Sequence, residues 1–443
     1  MTARTPTGGL PRERGVRRDV TLVAIGQLVA VVSAFLLTVV GARLLSPEEF
    51  GALSWALSWV TYLAVVAQLG LTQVATISLA DPRLVRPQPV VQRLLVAQGV
   101  GLLLVVPVWW LLIGPVASGV GDPPTAYGPL IALTALWLPA AAVGPVVVNA
   151  LRARGRSAAA VLFGEHVRRL VLVGLILMAA LVPGGLGLRP VVAWAVALET
   201  VIYLVGVLVL LRETRVGDAD ADGAPIPTPS SMLRSGAGFT VATLASVTVP
   251  QAGVWLLAAF VPVGEVAVFS VAVRVALLVG TPTVIVMRTL APRVVAAHRA
   301  GDLGRLEQTI RRSALWSTGA TGLAVLGLAV GGRWLLPALF GQEYASALPA
   351  ALILCVGMLV NAGTGPCSVV LSHAGRSRTV AASAVVSSLT FLVLAAWLAS
   401  WAGGAGVAAA AAVAMSGRNL HLARAARRSL GITTLPSLSP RRR

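Results

Sequence analysis

Long apolar runs occupy most of this chain, and the connections between them alternate between arginine-rich and arginine-poor. A run of about 20 apolar residues is long enough to cross the hydrocarbon core of a bilayer as a helix. Twelve such runs occur, at residues 20–42, 51–79, 94–117, 127–150, 158–182, 190–211, 236–261, 265–291, 313–337, 346–372, 379–400 and 403–423. We therefore predict an all-α polytopic membrane protein with about twelve transmembrane helices.

The distribution of positive charge predicts how these spans are oriented. All 35 residues counted as Lys or Arg are arginines, and most precede the odd-numbered spans or follow the even-numbered ones. The six remaining connections contain Arg43, Arg189 and no other arginine. Because positive charge is retained on the cytoplasmic side, both termini are predicted to be cytoplasmic.

The composition agrees with a membrane protein. Hydrophobic residues make up 57% of the chain and charged residues only 12%, which is more apolar surface than a soluble domain of this length could bury. The net charge of +19 does not indicate nucleic-acid binding, because the arginines lie at span ends, where they meet lipid headgroups. Neither a metal site nor a disulfide framework is predicted, since Cys355 and Cys367 fall in one span.

A polar segment near the middle of the chain separates two equal sets of spans. Residues 212–235 are rich in Asp, Pro and Ser and are predicted to form a flexible cytoplasmic linker. The predicted organisation is a basic cytoplasmic tail at 1–19, a six-helix half at 20–211, the linker, a second six-helix half at 236–423 and a basic tail at 424–443. Transporters built from two related halves have this layout.

The second and eighth spans begin with similar segments, Leu45–Ser54 and Val261–Ser270. Each contains a proline turn, a glutamate and an apolar run that ends in serine. Two interpretations remain open: a faint repeat of the two halves, or the general preference of helix N-termini for proline and glutamate.

Ionisable side chains inside the predicted spans are costly and are therefore candidate functional groups. The fifth span contains Glu165, His166, Arg168 and Arg169, and the sixth contains Glu199. Glu165 shares a helix face with both arginines, so these groups form either a structural set of ion pairs or part of a substrate pathway. Glu165, His166 and Glu199 are the ion-coupling candidates, the histidine because imidazole titrates near neutral pH.

Arg274 lies near the middle of the eighth span, with no carboxylate within a helical turn. An unpaired guanidinium in hydrocarbon is very unfavourable, so this residue needs a distant partner, a water-filled cavity or an anionic ligand. Arginines outnumber carboxylates among the mid-membrane groups, and the planar guanidinium fork suits phosphate. We therefore expect an anionic, phosphate-bearing substrate.

Proline residues inside the spans are candidate hinges. Pro250 interrupts the seventh span, Pro282 the eighth and Pro366 the tenth. Such breaks are tolerated where they face a cavity or a neighbouring helix, and they provide pivots for alternating access, although proline is common in membrane helices generally.

Three segments carry a resemblance to a known family: Gly41–Gly51 after the first span, Pro250–Arg274 in the seventh and eighth, and Gly403–Ala409 with the basic tail through Ser429–Ile432. Over essentially its whole length, the chain resembles the polysaccharide-export flippases of the multidrug/oligosaccharidyl-lipid/polysaccharide (MOP) exporter superfamily. These proteins move undecaprenyl-pyrophosphate-linked oligosaccharides, so the resemblance implies a flippase of the bacterial cytoplasmic membrane without covalent chemistry or a cofactor.

The resemblance also implies a central cavity lined mainly by spans 1, 2, 7 and 8. Together with the analysis of charges, it gives five substrate-binding candidates: Arg274, Arg168, Arg169, Gln251 and, in the outer turn after the first span, Arg43. Many relatives carry an acidic residue where this chain has Gln251, which leaves the coupling ion, proton or sodium, open. The implied partners are a polyprenyl-pyrophosphate-linked glycan, membrane lipids, a polysaccharide polymerase and glycosyltransferases.

Two other functions are weighed against this one. An ion-coupled drug exporter of the same superfamily is disfavoured by the excess of arginine, since carboxylates and aromatic groups would suit cationic drugs. A membrane glycan polymerase or ligase would need a sizeable outer loop with catalytic groups, and the predicted outer connections are short.

Overall fold

A computed structural model of the chain gives the arrangement of its helices. It describes residues 13–81, 84, 87–113, 127–183, 186–214, 226–287, 303–431 and 433–436. Within these ranges the chain is helical apart from short turns and contains no β-strand. The predicted all-α fold class is confirmed for this part of the chain.

Helices are numbered in chain order. Those before the predicted linker are α1 (Glu13–Leu44), α2 (Pro47–Gln68), α3 (Leu71–Leu79), α4 (Pro87–Val108), α5 (Gly128–Ala153), α6 (Ser157–Leu162), α7 (Glu165–Leu181) and α8 (Leu188–Glu213). A π-helical turn at Trp109–Ile113 extends α4. Those after the linker are α9 (Pro229–Leu257), α10 (Val263–Val279), α11 (Thr281–Met287), α12 (Leu303–Phe340), α13 (Ala347–Thr364), α14 (Cys367–His373) and α15 (Ser377–Leu430). A 3₁₀ turn at Gln342–Ser346 joins α12 to α13.

Many of these helices have the length and hydropathy of membrane spans. Eight described helices meet that standard, and the count reaches nine when α10 and α11, which meet at a 45° bend, are taken as one broken span. Large apolar side chains such as Leu103, Trp316 and Trp401 are exposed on the bundle, where lipid would cover them. The chain is therefore a multi-pass membrane protein.

The predicted spans that fall short of this standard do so for local reasons. α7, for example, has only 17 residues. α15 covers 54 residues, but a kink with non-helical backbone angles at Ala402 and Gly403 divides it into two helices that correspond to the eleventh and twelfth predicted runs. The number twelve and the cytoplasmic location of the termini remain predictions.

The two halves meet where α2 packs against α9 and α10. α2 begins with a capping box, in which the side chains of Ser46 and Glu49 each accept a hydrogen bond from the other's main-chain N–H. α10 begins after Pro262, and its first turn packs on α2 so closely that a Cβ on Gly51 would overlap the main-chain oxygen of Val263. The two similar segments found in the sequence thus begin helices that face each other across the halves.

A second close contact lies at the other end of α2. Gly70, between α2 and α3, has a φ of +71°, a conformation that favours glycine. A Cβ on Gly70 would overlap the carbonyl of Gly236 in α9, and a Cβ on Gly236 would overlap the carbonyl of Leu69. The α2 helix is therefore fixed to the C-terminal half near both of its ends.

Candidate functional site: an arginine-lined cavity between the halves

A cavity of about 130 Å³ lies between the two halves. Its walls come from α1, α2 and α7 of the N-terminal half and from α9 and α10 of the C-terminal half. The polar and charged side chains on these walls are Thr38, Ser54, Ser58, Thr61, Glu165, Arg168, Arg169, Gln251, Ser270 and Arg274. Spans 1, 2, 7 and 8, which the family resemblance implies, all contribute, and the fifth span adds the charged residues of α7.

The charged residues of α7 form a shared ion-pair cluster. The extended backbone of Gly164 ends α6 and starts α7, so that Glu165 occupies the first turn, where the helix dipole favours an anion. Glu165 Oε1 accepts hydrogen bonds from Arg168 Nη2 at 2.9 Å and from Arg169 Nη2 at 2.7 Å. Arg169 Nη1 also donates to the carbonyl of Ala30 at 3.0 Å, which ties α7 to α1. One carboxylate is thus shared between two guanidinium groups, and the cluster keeps a net positive charge.

Arg274 reaches the same cavity from α10. It forms no ion pair with any carboxylate in the described part of the chain. Its Nε donates to Thr38 Oγ1 at 3.2 Å, and that hydroxyl donates to the carbonyl of Ala34 at 3.0 Å. Because a guanidinium carries five N–H donors, this contact leaves most of its hydrogen-bonding capacity for a ligand in the cavity.

Glu199 lies behind the cavity wall, and its side chain is only 2% exposed. Its Oε2 accepts a hydrogen bond from Trp137 Nε1 of α5. Its Oε1 has no hydrogen-bond partner among the described residues and lies 3.9 Å from Arg168 Nη1. Arg168 therefore connects a cavity carboxylate, Glu165, to a fully buried one.

Sequence analysis missed a row of hydroxyl groups on the cavity wall. Ser54, Ser58 and Thr61 follow one another at intervals of four and three residues along α2, so they share one helix face, and Ser270 faces them from α10. Ser58, Thr61 and Ser270 donate to carbonyls in the preceding turn of their own helix, which leaves their oxygens able to accept further hydrogen bonds. The spacing of Ser54, Ser58 and Thr61 in the sequence could have predicted this polar helix face.

Besides Glu199, two of the predicted binding and coupling residues do not line this cavity. Arg43, at the end of α1, donates to the carbonyls of Pro337, Ala338 and Leu339 in the last turn of α12. His166 folds back against Gly164 at the start of α7.

The three candidate hinges occupy different settings. Pro250 lies inside the continuous helix α9 and borders the cavity. Pro282 follows the 45° bend between α10 and α11. Pro366 lies between α13 and α14, directly after Gly365, whose φ is +70°.

A second cavity, of about 240 Å³, lies within the C-terminal half and was not predicted from the sequence. Its walls come from α9, α10, α13 and α15 and are mostly apolar, and its polar side chains include Asn361, Arg418 and Asn419. Pro250, together with Val273 and Leu277, borders both cavities.

Aromatic rings also join the two halves. Trp59 of α2 stacks on Trp255 of α9, with ring centroids 4.6 Å apart and an angle of 21° between the planes. Both indole Nε1 atoms are buried without a hydrogen-bond partner in the described part of the chain. Their direct neighbours in sequence, Ser58 and Val254, line the arginine-lined cavity.

The site is therefore a charged cavity lined by several helices of a multi-pass membrane protein. The chain belongs to the polysaccharide biosynthesis protein family, whose model matches residues 16–298, more than half of its length. The resemblance stated from the sequence is therefore confirmed. Comparison with curated proteins gives no match.

Solved structures share this fold. One is the lipid II flippase MurJ in an inward closed conformation, with a TM-score of 0.69 and 12% identity over 91% of this chain and 87% of that one. Another is a multidrug resistance MATE family transporter of the MOP superfamily. Its inward-facing conformation gives a TM-score of 0.70 and 15% identity over 93% of this chain and 98% of that one. An outward-facing MATE structure gives a TM-score of 0.60 and 16% identity over 97% of this chain and 99% of that one. At these identities the likeness shows that the chain shares the fold of these structures.

Proposed function

We propose that this protein is a flippase that moves a polyprenyl-pyrophosphate-linked oligosaccharide from the cytoplasmic to the outer leaflet of the bacterial plasma membrane, for the synthesis of a cell-surface polysaccharide. Arg274 carries this proposal. It is a guanidinium at membrane depth whose hydrogen bonding within the described chain is limited to the Thr38 hydroxyl. A pyrophosphate in the cavity would supply the missing acceptors in the geometry that guanidinium favours.

The cargo would be divided between protein and lipid. Arg274, Arg168 and Arg169 would hold the pyrophosphate, and Gln251 with the hydroxyl groups of α2 would contact the first sugars. The polyprenyl chain would remain in the bilayer, so that only the polar headgroup needs a path across the hydrocarbon. No bond is made or broken, and the twelve predicted spans, with cytoplasmic termini, would move as two six-helix halves.

The halves are in contact at the outer end of their interface as well as at Gly70 and Gly236, near the predicted cytoplasmic end of α9. In the predicted topology, the first turns of α2 and α10 lie at the outer surface, where Gly51 and Val263 are in contact. The Trp59–Trp255 stack closes the same interface.

The charge of the cavity argues against the export of cationic drugs. Glu165 is the carboxylate on the cavity wall, and both Arg168 and Arg169 already pair with it. A cation would therefore meet net positive charge at short range, which costs free energy in a site of low dielectric.

The role of Arg274 is tested by complementation in a host that lacks the protein. The Arg274→Ala variant should insert into the membrane at the wild-type level but lose at least nine-tenths of cell-surface polysaccharide. The matched control is Arg333→Ala, because Arg333 stacks on Trp334 in α12 and lies outside the cavity. Full export by Arg274→Ala, or an equal loss in both variants, would contradict the assigned role.

A further inference from the structure

The buried carboxylate of Glu199 is incompletely compensated. Trp137 donates to its Oε2, but its Oε1 has no hydrogen-bond partner in the described chain, and the contact with Arg168 Nη1 is long, at 3.9 Å. A charged carboxylate without full hydrogen bonding is expensive to bury, whereas a protonated one is much less so. Glu199 is therefore suited to exchange a proton.

The groups that face Glu199 connect it to the cavity. They are Arg168 and Glu165 of α7, Tyr203 one turn further along α8, and Trp137 of α5. Arg168 is the link, because its Nη2 binds Glu165 Oε1 at 2.9 Å on the cavity wall while its Nη1 faces Glu199. A change of charge on Glu199 is thus transmitted to a residue that lines the cavity.

The balance of charge sets the sign of this link. Three arginines, Arg168, Arg169 and Arg274, face two carboxylates, Glu165 and Glu199, so the ionised cluster has a net positive charge of one. Protonation of Glu199 adds one positive charge. A pyrophosphate diester carries an ionised oxygen on each phosphorus atom near neutral pH, so the protonated cluster matches it better. Proton binding and anion binding therefore favour each other, and by linkage the coupling is reciprocal.

We propose that Glu199 is a proton-binding site coupled to the cargo, an inference that rests on the proposed function. Glu199 takes a proton from water when a pyrophosphate diester occupies the cavity and returns the proton when the anion leaves. This role separates Glu199 from Glu165, which two arginines hold ionised by direct hydrogen bonds. It also separates Glu199 from His166, whose ring folds back against Gly164 at the start of α7.

The test is calorimetric titration of the purified full-length protein in lipid nanodiscs. The probe is citronellyl-pyrophosphoryl-N-acetylglucosamine, a short-chain pyrophosphate diester that does not itself titrate near neutral pH. Heats measured in two buffers with different ionisation enthalpies give the number of protons taken up on binding. For the wild type we expect uptake, and binding that weakens as pH rises, by at most about tenfold per pH unit.

The Glu199→Gln variant resembles the protonated state. It should take up no proton, bind with nearly the same affinity at all pH values, and bind more tightly than the wild type at high pH. The matched control is Glu213→Gln on the same helix, since Glu213 pairs with Arg156 at the exposed end of α8. That control should keep the wild-type proton uptake.

Two further variants guard against a purely structural effect. Glu165→Gln should tighten binding, because it also removes a negative charge, but should retain proton uptake. Trp137→Phe removes the donor to Glu199 Oε2 and should shift proton uptake to higher pH.

Undiminished proton uptake by Glu199→Gln, with probe binding still lost in Arg274→Ala, would overturn this inference and leave the proposed function intact. Absence of probe binding by the wild type at every pH would overturn both.

Discussion

At the scale of single residues, Arg43 has the surroundings of a structural group. It donates to the carbonyls of Pro337, Ala338 and Leu339 in the last turn of α12, and the carbonyl of Pro337 also accepts the main-chain N–H of Gly341. We expect Arg43→Ala to lower the free energy of unfolding by about 1 kcal/mol, because a charged donor is lost at a partly exposed site. Thermal unfolding of the purified protein would then shift by a few degrees, while the remaining folded protein would still export. If the Arg43→Ala variant kept the wild-type Tm but lost export, Arg43 would instead be a substrate-binding residue.

The difference between Arg43 and Arg274 explains what sequence can predict at this scale. The pairing of Glu165 with Arg168 and Arg169 follows from spacing along one helix, and the isolation of Arg274 from carboxylates follows from their absence nearby in sequence. The carbonyls that Arg43 binds lie almost 300 residues away, and no local pattern indicates them. The absence of a hydrogen-bond partner for Glu199 Oε1 among the described residues likewise depends on how α5, α7 and α8 pack together.

At the scale of elements, one glycine should fix the distance between α9 and the α2–α3 junction. Gly236→Ala would place a Cβ against the carbonyl of Leu69, a main-chain group that cannot rotate away. We expect a loss of about 1–3 kcal/mol in the free energy of unfolding and reduced export. The control is Gly238→Ala, two residues further along the same helix, where a Cβ meets open space. That change should be neutral or stabilising by up to about 1 kcal/mol, because alanine favours helix. Equal Tm values for the two variants would contradict the close contact.

The elements themselves were predictable to the extent that hydropathy defines them. Each of the twelve apolar runs has a helix within it, but the breaks inside runs were less visible. Gly164 splits the fifth run into α6 and α7, and Leu69 with Gly70 splits the second run into α2 and α3. Apolarity reports exposure to lipid rather than backbone angle, so it cannot locate such breaks.

At the scale of the whole molecule, the spacing of arginines predicted the class of protein, and packing determined the site. The cavity exists because α2 contacts the C-terminal half at Gly51 and Gly70 while α7 supplies charge from the other side. None of these long-range contacts is encoded in a local motif. The resemblance to a family implied a cavity lined by the spans that contain α1, α2, α9 and α10, and the charges of the fifth span made Arg168 and Arg169 of α7 candidates for it. The structure adds how α7 packs beside those helices.

The most direct test of the proposed flippase is the leaflet on which its cargo accumulates. The protein would be depleted in its native host, and lipid-linked glycans would be extracted after treatment of right-side-out and inside-out vesicles with a glycan-modifying enzyme that cannot cross the membrane. We expect a finished polyprenyl-pyrophosphate oligosaccharide to accumulate. The enzyme should modify it only in inside-out vesicles, because the oligosaccharide is retained on the cytoplasmic leaflet. Lipid-linked glycans that are unchanged in amount and leaflet after depletion would contradict it.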